Sequence, residues 1–105
     1  MNGQLGLNVT PSDSQTVLTV TGDINMTTSP RMRAALIEVA SERPEELVVD
    51  LERVTYIDSS GIATLVEALQ RARREGRQLV LRGLQEGIRA VFRLARLDEV
   101  FTIVH

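Results

Sequence analysis

Apolar residues recur along this chain in two rhythms, and each change of rhythm marks a new element. Leu5 to Val9 alternates apolar with polar, Pro11-Ser12-Asp13-Ser14 carries turn residues, and Gln15 to Thr21 (QTVLTVT) alternates again with β-branched side chains. That pattern predicts a hairpin whose second strand ends at Gly22-Asp23. Thr27-Thr28-Ser29-Pro30 has hydroxyl caps followed by a first-turn proline, and Met32, Ala35, Leu36 and Val39 follow at helical spacing. The predicted helix stops at Arg43-Pro44, and Leu47 to Leu51 (LVVDL) is a short apolar run suited to a buried strand. Ile62, Leu65, Val66, Leu69 and Ala72 then define an amphipathic helix from about Ser59 to Gly76, with Glu67, Gln70, Arg71, Arg73 and Arg74 on its outer face. Gln78 to Leu81 predicts another buried strand. Ile88, Val91, Phe92 and Ala95 mark a third helix from about Glu86, and Val100 to Val104 a last strand or extended tail.

The order is β-β-α-β-α-β-α-β. Strands that alternate with helices need crossover connections, which make a sheet largely parallel, and the opening hairpin adds an antiparallel member. The expectation is a single α/β domain over residues 1–105, with a mixed sheet of four or five strands packed with amphipathic helices. Hydrophobic residues make up 43% of the chain but aromatic residues only 3%, so Leu, Val, Ile and Ala must fill the core.

Composition narrows the function. The formal net charge is −2, against a small nucleic-acid-binding domain, which carries a basic excess. The chain has no cysteine, so disulfides and thiolate metal sites are excluded. All twelve basic residues are arginine, which removes a phosphate-loop lysine and a Schiff-base lysine. No run of 18 apolar residues occurs and the N-terminus lacks the pattern of a secretory leader, so the expectation is a cytoplasmic protein with no direct membrane insertion.

The stretch VTYIDSSGIATL, Val54 to Leu65, holds the candidate chemistry: two adjacent serines behind Asp58 and ahead of Gly61, at a predicted helix start. A serine nucleophile needs a base in reach, but the one histidine is the terminal His105 and the G-x-S-x-G elbow is absent. Asp50, Glu52 and Asp58 have no histidine or cysteine to complete a metal site, and one glycine without lysine does not make a phosphate loop. Two readings stay open. Ser59 and Ser60 are plain helix caps, or one of them caps in one state and accepts phosphate in another, where the added dianion meets the free N–H groups of the helix start.

Val48 to Leu84, VVDLERVTYIDSSGIATLVEALQRARREGRQLVLRGL, resembles the STAS family, in particular the bacterial anti-sigma factor antagonists. The shared features are Asp50-Leu51 closing a strand and Asp58-Ser59-Ser60-Gly61 opening an amphipathic helix. Leu18 to Asn25 is similar to the family's strand and Gly-acidic loop, and Val91 to Val104 to its last helix and tail. Asn25 stands where an aspartate is common, Ala63 where a second glycine is common, and Arg96 precedes Leu97 where a glycine is common. The resemblance implies a protein-binding module without enzymatic activity or cofactor. Its partners would be a kinase-like anti-sigma factor, bound in the unphosphorylated state, and a phosphatase that restores that state. It implies Ser59 as phosphoacceptor, with Ser60 the second candidate, and a docking surface of Gly22, Asp23, Asn25, Asp58, Ser59, Ser60, Gly61 and Ile62. STAS domains also serve as accessory subunits of membrane transporters, including lipid-transport ABC systems, and this is the alternative role.

Overall fold

The computed structural model describes residues 4–105. Five strands form one sheet in the order β1 (Gly6–Pro11), β2 (Gln15–Ile24), β3 (Glu46–Ile57), β4 (Gln78–Arg82) and β5 (Thr102–Val104). β1 runs antiparallel to β2, and the β2–β3, β3–β4 and β4–β5 pairs are parallel. The crossovers are α1 (Ser29–Ser41), α2 (Ser59–Arg74) and α3 (Glu86–Leu94), the last followed by a 3-10 turn over Leu97–Glu99. The expected mixed α/β sheet is therefore present, with five strands.

Alternation makes the sheet two-faced. Leu18 and Val20 of β2, Leu47, Val49 and Leu51 of β3, and Leu79 and Leu81 of β4 point to one face. There they share a single cluster with Met32, Leu36 and Val39 of α1, Leu65 and Leu69 of α2, and Ile88 and Phe92 of α3. Phe92 meets Phe101 edge-on, with ring centres 5.7 Å apart. Val48 and Val80 are also buried but stand outside this cluster, so the helices gather on one side of the sheet. In α2, Leu65 and Leu69 are buried as the periodicity requires, whereas Val66 and Ile62 are half-buried at the edge of the stripe.

Three sequence expectations need correction. β2 does not end at Gly22-Asp23 but runs to Ile24, and β3 does not end at Leu51 but continues to Ile57. The cause is two irregularities in the β2–β3 ladder, where Thr19/Thr21 face Asp50/Arg53 and Gly22/Asp23 face Val54/Tyr56. Each gives β3 one extra residue, so its core-facing side chains fall at Leu51, Val54 and Ile57, a spacing of three instead of two. The last strand is also shorter than Val100 to Val104, because Val100 belongs to the 3-10 turn closed by its N–H to the Leu97 carbonyl.

Candidate functional site

The extended ends of β2 and β3 carry the site. Ile24 and Ile57 are neighbours in the ladder, and the Asp58 N–H donates to the Ile24 carbonyl at 3.1 Å. The chain then turns into α2, with Asp58 as its N-cap. Gly61 is buried, and a Cβ there would meet Ile24 Cγ2 and come within 2.8 Å of Ile57 Cγ1. The glycine therefore lets the first turn of α2 lie directly on the two strand ends. It faces the core, so of the predicted docking residues it is the one that presents no side to a partner.

Asp58 organises that turn. Its Oδ1 accepts from the Ser60 N–H at 2.9 Å, the Gly61 N–H at 3.2 Å and the Ser60 hydroxyl at 2.6 Å. Chiefly through the Ser60 hydroxyl, helped by the Gly61, Ser60 and Met26 N–H groups, its carboxyl is held below the ordinary carboxylate range against partial desolvation. Ser60 is half-buried and committed to Asp58. Ser59 is exposed, and its hydroxyl makes no hydrogen bond among the described residues. The two serines, equivalent in sequence, are thus physically distinct.

The second wall is the end of β2 and its connection to α1. Gly22 has φ +112°, and a Cβ there would come within 2.9 Å of the Gln4 carbonyl. Only glycine combines that backbone angle with so close an approach. Asp23 is exposed and its Oδ1 accepts from the Thr55 hydroxyl at 3.0 Å. Asn25 is half-buried, and its carboxamide oxygen accepts from the N–H groups of Thr27 at 2.9 Å and Thr28 at 3.0 Å. An aspartate at this position would use the same oxygen, so Asn25 keeps the turn while leaving the loop without that charge. The expected hydroxyl capping of α1 does not occur. Thr28 is the N-cap but makes no side-chain cap bond; its hydroxyl accepts from the Asn25 N–H at 2.9 Å and donates to the Asp23 carbonyl at 2.8 Å. Pro30 offers no N–H in the first turn, which leaves the Thr28 hydroxyl to tie the loop instead.

The structure thus brings Asp58, Ser59 and Ser60 together with Gly22 to Asn25, the end of β2 and the residue after it, which sequence separates from them by more than a helix. Asp50 stands apart from the serines: its Oδ2 accepts from Arg82 at 2.9 Å across the β3–β4 pair and its Oδ1 from the Glu52 N–H at 2.9 Å. Burial opposes its ionisation, but these two bonds and the charges of Arg82 and Arg53 outweigh it and keep its carboxyl below the usual range. Two residues of the site region went unread in the sequence, Met26 and Tyr56, both exposed large apolar side chains. Tyr56 gave a faint signal, as one of three aromatics in the chain and the one beside the DSSG stretch, and Met26 gave none.

Among the described residues, no helix is long and apolar enough to cross a membrane. The family model described as Mlab, STAS domain, matches residues 7–105. The chain belongs to the STAS domain family. It is 31% identical over 84 residues to an anti-sigma-B factor antagonist of Listeria monocytogenes, covering 80% of this chain and 74% of the relative. The crystal structure of an anti-sigma factor antagonist from Mycobacterium paratuberculosis is similar to it with a TM-score of 0.83 and 27% identity, over 96% of this chain and 86% of that one. The phosphorylated form of the Bacillus cell fate determinant SpoIIAA has the same fold, with a TM-score of 0.73 at 15% identity, over 95% of this chain and 92% of that one.

Proposed function

We propose that this chain is an anti-sigma factor antagonist, a cytoplasmic protein whose residues 1–105 form a single STAS domain that binds a kinase-like anti-sigma factor while Ser59 is unphosphorylated. It is a binding module and not an enzyme. The observation that carries the reading is the division of labour between the serines: Ser60 is held by Asp58, while the Ser59 hydroxyl stands free at the exposed first turn of α2. An acceptor must leave its hydrogen bonds to reach a kinase, and the Ser59 hydroxyl has none to leave among the described residues. The family membership and the antagonist relatives support the same role.

Phosphate on Ser59 adds about −1.5 to −2 charges beside Asp58 and Asp23. A dianion without a partner at an interface opposes binding, and a loss of about 1.4 kcal/mol is already tenfold in affinity. Phosphorylation thus releases the anti-sigma factor, and a phosphatase restores binding. Incubation with the kinase-like anti-sigma factor and ATP, followed by phosphosite mapping and affinity measurement, tests this. Phosphate is expected on Ser59, with Ser59→Ala binding constitutively and Ser59→Asp binding poorly. Phosphate on Ser60 alone would move the switch by one residue. No phosphate on either serine, with Ser59→Asp binding like the parent, would overturn the switch and favour an accessory role in a membrane transporter such as a lipid-transport ABC system.

A further inference from the structure

We infer that Met26 and Tyr56 are the apolar anchors by which the kinase-like partner grips the Ser59 site, and that this partner presents an apolar pocket to them. The inference rests on the reading of Ser59 as the modified residue and adds what holds the partner there. Met26 is 78% exposed and Tyr56 50%, in a chain whose other aromatic side chains, Phe92 and Phe101, are buried. Met26 lies in the β2–α1 loop one residue after Asn25, and Tyr56 lies two residues before Asp58 on β3, opposite Asp23 in the ladder. The two therefore stand at the same end of the sheet as Ser59, Met26 just past the end of β2 and Tyr56 near the end of β3.

Position in β3 explains the exposure of Tyr56. Ile57 turns inward against the place where Gly61 lies, and the irregularity at Gly22/Asp23 opposite Val54/Tyr56 leaves Thr55 and Tyr56 both outside. The strand thus presents an aromatic side chain it has no folding reason to expose. Aromatic side chains supply large contact area at low entropic cost, and methionine adapts its shape to a partner's pocket. Other apolar side chains are exposed, above all Leu94 of α3 at 88%, but a kinase must place its ATP at Ser59, so its contacts gather round α2's first turn.

The experiment uses the full chain and the purified kinase that phosphorylates Ser59, with affinity read by calorimetry and phosphorylation by initial rate. Tyr56→Ala and Met26→Ala are each expected to weaken binding at least tenfold and to slow phosphorylation of Ser59. Tyr56→Phe keeps the apolar ring and is expected to bind within about twofold of the parent, and Leu94→Ala likewise. Denaturation midpoints of all four variants establish that each is folded, and Met26→Gln replaces Met26→Ala if that variant is not. If the parent binds and is modified on Ser59 while Tyr56→Ala and Met26→Ala bind within twofold of it, the anchors are overturned and the Ser59 reading stands. Equal losses from Leu94→Ala would place the grip on α3 and overturn the anchors too. A parent that neither binds nor is modified overturns the Ser59 reading itself.

Discussion

At the scale of single residues, the site rests on Asp58. Its carboxylate gathers two backbone N–H groups and the Ser60 hydroxyl, and its pKa is lowered in the fold. A carboxylate depressed by folding stabilises the protein above its unfolded pKa, about 3.9, and that contribution is lost as pH falls through the lower folded value. Asp58→Asn should therefore lose stability relative to the parent at pH 7, with the gap closing below about pH 4; acid titrations of the urea midpoint for both proteins measure this. A constant gap from pH 7 to pH 3 would show that charge is not what the cap contributes. Gly61 makes a second prediction. A methyl group there meets Ile24 and Ile57, both β-branched and buried, so neither can swing aside. Gly61→Ala should cost about 1–3 kcal/mol by overpacking, read as a lower denaturation midpoint. The adjacency of Ser59 and Ser60 was legible in the sequence, but their difference was not, because it depends on which hydroxyl the Asp58 carboxylate reaches after the chain turns.

At the scale of elements, what was legible followed from periodicity and what was not followed from its interruption. The stripe of α2 located the helix from Ser59 to its glycine stop, and the alternation of QTVLTVT located β2. The rest of β3 was hidden because its inward side chains, Leu51, Val54 and Ile57, are three apart, a rhythm that reads neither as strand nor as a complete helix face. The two irregularities responsible sit where β2 and β3 approach the site, and they turn Thr55 and Tyr56 outward. Thr28 was misread for a similar reason: a hydroxyl ahead of a proline matches a cap in sequence, but Pro30 has no N–H, the Arg31 N–H goes to the Thr28 carbonyl, and the hydroxyl ties Asn25 to Asp23 instead. The α2 stripe also supports a stability prediction. Leu69 is 5% exposed within the shared core, so Leu69→Ala should cost roughly 2–5 kcal/mol through lost burial and a cavity. Chemical denaturation measures it, and an unchanged midpoint would mean that α2 packs by another face.

At the scale of the whole molecule, the question is whether the proposed switch at Ser59 would work through the fold or through the surface. A 105-residue protein has about 5–10 kcal/mol of net stability, so a modification that strained the core would melt it. The geometry separates the two. Ser59 is exposed and belongs to the first turn of α2, where a negative group is favoured by the helix dipole. The residues that fasten this turn to the sheet are others: Gly61 on Ile24 and Ile57, and the Asp58 N–H on the Ile24 carbonyl. Charge can therefore be placed on Ser59 without loosening the strand ends beneath it. The phosphorylated protein should keep the unmodified radius of gyration, 12.6 Å over Cα atoms, and a thermal midpoint within about 4–8 °C, the shift that ~1 kcal/mol makes in a domain of this size. Ser60→Ala, which removes the hydroxyl that Asp58 holds at 2.6 Å, should lower the midpoint more than Ser59→Ala does. Calorimetric scans of the parent, its phosphorylated form and both alanine variants decide the matter. A midpoint that falls well beyond that range on phosphorylation, or Ser59→Ala as damaging as Ser60→Ala, would mean that the switch acts by unfolding the start of α2 instead of by recharging the surface it presents.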